Sequence, residues 1–253
     1  MNQRRLAFET PESNLKSVLM LENEIPGAAV YRHSLDASRE LELAGDPGLL
    51  RVFLLIEGSV VFSAGNGTTQ LAERSVFVAR PADRVKAVTR SAAQLLEIQW
   101  RINDEERRRM ESLEWPIARL YKDAIQYMEP CKSEKTISRE LLGHHLLPRF
   151  CMGSVESVGF DRVEPHEHPL LDQFFYSFPE PENDIDLLID GERYPYGANT
   201  LLHIPLGSNH GAEVAEGKKM HYLWIDFLSE AQEKQGLAHL DRSHIPTDMK
   251  REL

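Results

Sequence analysis

The chain has 253 residues, enough for one large domain or two of ordinary size. Hydrophobic residues make up 42% and charged residues 27%, which excludes a disordered chain, a collagen and a disulfide scaffold. Asp and Glu number 40 against 29 Lys and Arg, and the resulting net charge of −11 repels phosphate backbones and sets nucleic acid aside as a partner.

The N-terminal Met1-Asn-Gln-Arg-Arg-Leu6 puts no apolar core behind its charges and does not read as a signal peptide. The most apolar run, Leu49 to Ile56, is interrupted by Arg51 and falls far short of the roughly 20 residues a bilayer needs. A cytoplasmic protein with no membrane partner is expected. Cys131 and Cys151, lacking a secretory signal and metal-finger spacing, read as free thiols rather than a disulfide.

The first β-rich stretch contains Arg51-Val-Phe-Leu-Leu-Ile-Glu-Gly58, then Val60-Val-Phe62, then the hairpin signal Gly65-Asn-Gly67. Ser75–Val78 and Gln94–Trp100 read as further strands, a spacing that suggests a β-sandwich or barrel. At Asn103 the character changes: an N-cap and the acids Asp104 to Glu106 open a helix. Ile117, Leu120, Tyr121 and Ile125 predict a second helix from Pro116 to Met128, stopped by Pro130. A third is expected from Ser138 to His145, with His144 and His145 flanking its end. Strand signals return at Arg149 and run to about Leu228, and a helix and tail should close the chain. The predicted layout is a β-domain over 1–102, a helical connector over 103–148, a second β-domain over 149–230 and a helix or tail over 231–253. Similar turn placement suggests that one module occurs twice.

The second β-domain carries the chemistry. In Gly159-Phe-Asp-Arg-Val-Glu-Pro-His166-Glu-His168-Pro-Leu-Leu-Asp172-Gln173, strand alternation puts His166 and His168 on one face, able to share a metal ion, with Glu167 turned outward. Further on, Gly197 to His210 ends a strand in a Pro205-Leu-Gly207 turn followed by a third histidine, His210.

These two segments resemble the paired motifs of the cupin superfamily: His-x-His with a following acid or amide, then Gly…Pro-x-Gly-x-x-His. The resemblance covers roughly residues 150–228. It implies a mainly β chain built as two cupin barrels (double-stranded β-helix, or jelly-roll), and one divalent metal held by His166, His168, His210 and a fourth ligand. The spacing from Gly159 to His166 is a residue longer than the family's, and that from Gly197 to Pro205 two residues longer. Val214 stands where an asparagine is common. Three imidazoles suit Zn, Fe, Ni, Cu or Mn, so the ion's identity stays open. Gln173 fits the fourth-ligand spacing, where Glu is usual, and Asp172 is the alternative. A neutral amide would leave the site more positive and favour an anionic or chelating substrate.

His203 and Tyr176 are candidate catalytic residues on the motif strands, and Tyr194, Tyr196, His221, Trp224 and Asp226 lie on neighbouring ones. Aligned on the same motifs, the first β-domain has Arg51 in the acid position, Ala44 and Asp46 in place of the paired histidines, and Asp83 and Lys86 in the glycine and last-histidine positions. It reads as a barrel that has lost its metal. The stretch His166-Glu-His168-x4-Gln173-Phe-Phe-Tyr176 is similar to 5-keto-4-deoxyuronate ketol-isomerase cupins. That implies a metal-dependent isomerase or lyase on a sugar acid or similar carbonyl compound. The alternatives are a cupin dioxygenase with Fe(II) or another redox metal, and a non-catalytic small-molecule-binding cupin. A small molecule is the expected partner, and a homodimer stays open.

Overall fold

The structure, a computed structural model, describes residues 7–9, 17–231, 245–248 and 250–253. The chain divides into two compact units, Pro11–Asp123 and Met1–Thr10 together with Ala124–Leu253. In the first, a six-stranded sheet runs β11 (Ile117–Arg119), β8 (Val76–Ala79), β5 (Leu49–Glu57), β10 (Ala93–Arg101), β3 (Ala28–Leu35), β2 (Ser17–Met20). Its second sheet runs β4 (Glu40–Leu43), β9 (Val85–Thr89), β6 (Val60–Ala64), β7 (Gly67–Leu71).

The other unit repeats this order. Its larger sheet runs β1 (Ala7–Glu9), β19 (Leu201–Ile204), β16 (Asp172–Ser177), β21 (Lys219–Phe227), β14 (Phe150–Val158), β13 (Ile137–Leu147), β12 (Ile125–Met128), β22 (Ile245–Thr247). The smaller runs β15 (Asp161–Glu167), β20 (Asn209–Val214), β17 (Asp184–Ile189), β18 (Glu192–Gly197).

In each unit the inward side chains of both sheets share one core. Phe53, Leu55, Phe77 and Leu95 meet Val60, Phe62 and Ala87 in the first. Phe175, Leu202, Tyr222 and Trp224 meet Val163, Leu187 and Ala212 in the second. The expected hairpin is present: Ala64 pairs with Gly67 across a two-residue loop, and Gly65 takes the positive φ (+55°) such a turn requires.

Asn103 caps α1 (Asp104–Arg109) as expected. Its Oδ1 accepts from Glu106 N at 2.9 Å while Glu106 Oε2 accepts from Asn103 N at 2.8 Å. Beyond α1 and the 3-10 turn Met110–Ser112 that follows it, the expected connector holds no α-helix. Residues 116–128 hold β11, a single 3-10 turn and β12. Residues 138–145 belong to β13, so His144 and His145 sit on a strand. Glu140, Leu141 and Leu142 favour helices, but pairing with β14 buries both faces of this segment and overrides local preference. The C-terminal helix expected after 230 falls largely outside the described residues, and Ile245–Thr247 is a strand paired with β12.

Candidate metal centre

On β15 and β20, Asp161 faces Val214 and Val163 faces Ala212, but the next pair is His166 with His210. β15 therefore spends two residues, Glu164 and Pro165, where β20 spends only Gly211. This bulge reverses which face the following side chains take. Val163 points into the core, and without the bulge residues 165 and 167 would follow it inward. With it, His166 and His168 turn inward and Glu167 is exposed. Gly211 makes room for the kinked chain: a Cβ there would lie 2.6 Å from the Val163 carbonyl oxygen and 2.9 Å from Pro165 N.

The three imidazoles gather as the paired spacing predicts. Ring centroids lie 4.8 Å apart for His166–His168, 4.9 Å for His166–His210 and 5.5 Å for His168–His210. One ligand atom from each lies within 4.8 Å of the others. His166 Nδ1 donates to the Glu164 carbonyl at 2.8 Å, and His210 Nδ1 to that of Ser208 at 3.1 Å. A carbonyl can only accept, so in both rings Nδ1 carries the hydrogen and Nε2 keeps its lone pair. This is how protein frameworks aim metal-binding imidazoles. Phe175 closes on His210 edge-on at 5.6 Å. Burial lowers the pKa of all three rings, well below the ordinary value for His168 and to about 4 for His210, and neighbouring rings add to the shift of His168 and His210. At neutral pH all three are uncharged, the form a metal ion takes. The donor set fits a divalent ion.

Those shifts set an acid limit on the metal-free protein. A histidine whose pKa is lower folded than unfolded binds more protons when unfolded, so stability falls as pH drops from about 6.5 to about 4. His210 alone would withdraw about 3 kcal/mol over that window. Melting chelator-stripped protein between these limits should show a steep fall that is reduced in His210→Asn. A flat wild-type profile would contradict the burial of the rings.

Gln173 lies on the inward face of β16, two residues before Phe175, and is buried. Its Nε2 donates to Asp226 Oδ1 at 2.8 Å on the adjoining strand, an orientation fixed because a carboxylate only accepts. Asp172, the alternative ligand, takes the opposite face. Its Oδ1 accepts from Leu206 N at 3.1 Å and lies 3.6 Å from His203 Nε2.

The two catalytic candidates also point away from the histidine group, because strand alternation puts them on the outer face. His203 packs edge-on against Phe174, and the Tyr176 hydroxyl donates to Asn199 Oδ1 at 2.8 Å. His221 is likewise on the outer face, bonded to Glu180 at 2.7 Å and packed on Phe178. Tyr196 is buried in the core with its hydroxyl donating to the Thr200 carbonyl, while the Tyr194 hydroxyl donates to Glu192.

Two residues had no sequence signal. Glu129 and Lys132, in the loop after β12, form an ion pair whose side chains are 6% and 7% exposed. The loop is tied to β15 beside the bulge: Glu164 N donates to the Cys131 carbonyl at 2.7 Å, and Lys132 bridges to Val163. Both charges act on His166 and His168, Glu129 favouring the protonated ring and Lys132 opposing it. An isolated Glu-x-x-Lys in a polar loop has nothing to distinguish it in sequence.

In the first unit, Arg51 pairs with Ala79 at the end of β8 as Gln173 pairs with Ile204 at the end of β19, so the expected equivalence holds. The histidine equivalences shift by a residue. Leu43 pairs with Val85 where His166 pairs with His210, while Lys86 faces outward to Glu40 at 2.8 Å. The run from Ala79 to Val85 is as long as that from Ile204 to His210, so Arg80 rather than Pro81 stands where Pro205 does, and the run from Leu43 to Arg51 is a residue longer than that from His166 to Gln173. Inside this barrel Glu97 lies 2.8 Å from His33 Nε2 and 3.1 Å from Arg51 Nε, and Gln99 Nε2 donates to it at 2.8 Å. Among the described residues, groups of His, Cys, Asp and Glu able to converge on one ion occur only in the second unit.

No family model and no curated protein matches the chain. Solved structures do. A Pseudomonas aeruginosa protein named for induction by glyoxylate aligns over 84% of this chain and 80% of its own, at 11% identity and a TM-score of 0.70. A variant of Bacillus subtilis oxalate decarboxylase aligns over 85% and 73%, at 12% identity and 0.66. A Cupin 2 conserved barrel domain protein from Leptotrichia buccalis aligns over 87% and 92%, at 16% identity and 0.56. At these identities the likeness establishes the fold, and the fold is that of the cupins.

Proposed function

We propose that the chain is a bicupin whose second barrel binds one divalent metal through His166, His168 and His210, with the Gln173 amide oxygen as fourth ligand. Its function is that of a metal-dependent enzyme of the isomerase or lyase type, acting on a small oxo acid or sugar acid able to chelate. The observation that carries this reading is the trio of uncharged imidazoles, two of them anchored to backbone carbonyls, which leaves a bound dication's charge uncompensated and suits an anionic substrate. Solved structures of like fold include an oxalate decarboxylase and a protein named for glyoxylate, which agrees with a small acid. When bound, the ion would polarise a carbonyl or carboxylate oxygen. The Lys132 ammonium would then meet the substrate's carboxylate, and the Glu129 carboxylate would take up or return a proton beside it. Phe175 and Tyr222, stacked at 4.8 Å, keep the inner wall apolar and exclude water.

The test is metal analysis of protein purified without chelators or nickel resin, followed by incubation with small oxo acids and uronic acids under NMR. Zinc or manganese with turnover supports the reading. Iron with oxygen uptake would instead assign a dioxygenase, and metal without any turnover a binding protein.

Asp226 also accounts for an amide at position 173. A glutamate there would set a second carboxylate against Asp226 at the present 2.8 Å contact, where one of the two would have to hold a proton. Gln173→Glu is therefore expected to keep its metal but to destabilise the metal-free protein, with Asp226→Asn relieving the penalty. Gln173→Ala should weaken metal binding about tenfold or more, and Asp172→Asn should leave it unchanged. Calorimetric metal titrations with melts of the stripped variants check all four, and loss confined to Asp172→Asn would overturn the ligand assignment.

A further inference from the structure

Three more metal-binding side chains converge on the larger sheet of the second unit. His144, Cys151 and Asp226 stand on the adjacent strands β13, β14 and β21, and one ligand atom of each lies within 4.8 Å of the others. All are buried, at 9%, 1% and 5% exposure. We propose that they form a second metal site, suited to a zinc-like divalent ion and separate from the three-histidine group.

The strands deliver these residues by register. Cys151 lies directly opposite Asp226, on the face that carries Val155 and Trp224 into the core. Cys151 Sγ is 3.9 Å from Asp226 Oδ2. Zinc bonds of about 2.3 Å to sulfur and 2.0 Å to oxygen hold tetrahedral donors roughly 3.5 Å apart. A shift of a few tenths of an ångström would close this pair on an ion. His144 arrives through a break in the ladder: β13 pairs with β14 at Leu142–Met152 and next at Leu147–Phe150. Residues 143–146 thus cross where β14 spends only Cys151, and bulges of this kind re-aim side chains.

Outer contacts orient two of the three donors, as ligand-supporting contacts do. Gln173 Nε2 holds Asp226 Oδ1 at 2.8 Å. The His144 ring stacks on Trp224 at 6.3 Å with 22° between planes, and Glu140 Oε2 lies 3.9 Å from its Nδ1. A buried cysteine by itself behaves as a small hydrophobe. Here a buried carboxylate and an imidazole swung in by a bulge accompany it.

The charges close as well. On binding, the thiol releases its proton to solvent, and thiolate plus carboxylate cancel the dication while the imidazole stays neutral. A neutral cluster is what a buried position tolerates. The mixed sulfur, nitrogen and oxygen set favours zinc or cobalt over magnesium or calcium.

The test is titration of chelator-stripped, full-length protein with Co(II). Sulfur bound to cobalt gives a near-ultraviolet charge-transfer absorption that an all-histidine site lacks. The expected result is that band at saturation, displaced by added Zn(II), with two ions per chain. Cys151→Ser should lose the band and one ion; Cys131→Ser should keep both. His166→Ala should keep the band and lose the other ion, so the two sites fail separately. A band with a single ion per chain would support this site and remove the histidine one. Absence of the band in the wild type, which needs no variant to fold, overturns the proposal, as does a band that follows Cys131.

Discussion

Replacing His166 or His210 by alanine is expected to lower metal content by one ion per chain. Losing a contact that merely supports a ligand costs tenfold to about a hundredfold in metal affinity, and losing a ligand costs more. His166 and His210 are also direct partners across β15 and β20, so each variant leaves two imidazoles on a strand pair built to present three. The fold should survive, because all three rings sit at the end of β15 or the start of β20, beyond the Val163–Ala212 pair in the packed core. Mass-spectrometric metal counts on gel-filtered protein, beside a melt of the stripped forms, measure both effects. Full metal occupancy in either variant would remove the three-histidine assignment.

Glu97→Ala should have the largest effect on stability while leaving metal content untouched. Glu97 is 1% exposed and is the shared partner of His33, Arg51 and Gln99 inside the first barrel. Without it, among the described residues, the Arg51 guanidinium keeps the Ala44 carbonyl at 2.7 Å but no carboxylate to offset its largely buried charge. Removing one member of a buried ion pair typically costs about 3–5 kcal/mol, or on the order of 10 °C in melting temperature for a chain of this size. Glu97→Gln, which can still accept, should recover part of the loss. A melt within a degree or two of wild type would show that the network contributes no net stability. A changed metal count would show that the first barrel takes part in binding.

Much of the site was legible because its signals are short-range. The alternation of His166 and His168, the Pro205-x-Gly207 turn before His210, the Gly65 hairpin and the Asn103 cap each depend on a few consecutive residues. What sequence could not supply is register set by the pairing of distant strands. In the first unit the connection from Leu43 to Arg51 is a residue longer than that from His166 to Gln173, and Pro81 falls one position past the place of Pro205, which displaces the expected equivalences of Ala44 and Lys86. Local preference predicts a helix over Ser138 to His145, while the cross-strand partners of β13 on β14 are set by the fold. His203 and Tyr176 lie on motif strands and still miss the site, since the register decides which face each residue takes. Cys151 and Asp226 are 75 positions apart and meet only as a pair across β14 and β21.

Topology also makes the front of the polypeptide part of the second unit. β1 pairs residue by residue with Leu201, Leu202 and His203 of β19, in a sheet whose other strands all come from beyond residue 124. A fragment cut to begin at 124 would leave β19 as a bare edge, its backbone donors and acceptors a template for pairing between copies. β19 lies directly beside β16, with Ile204 opposite Gln173, so disorder at that edge would be felt one strand from the proposed ligand. A tag or trimming at the N-terminus is therefore a perturbation of the second barrel, and a nascent chain cannot finish that sheet from its later residues alone.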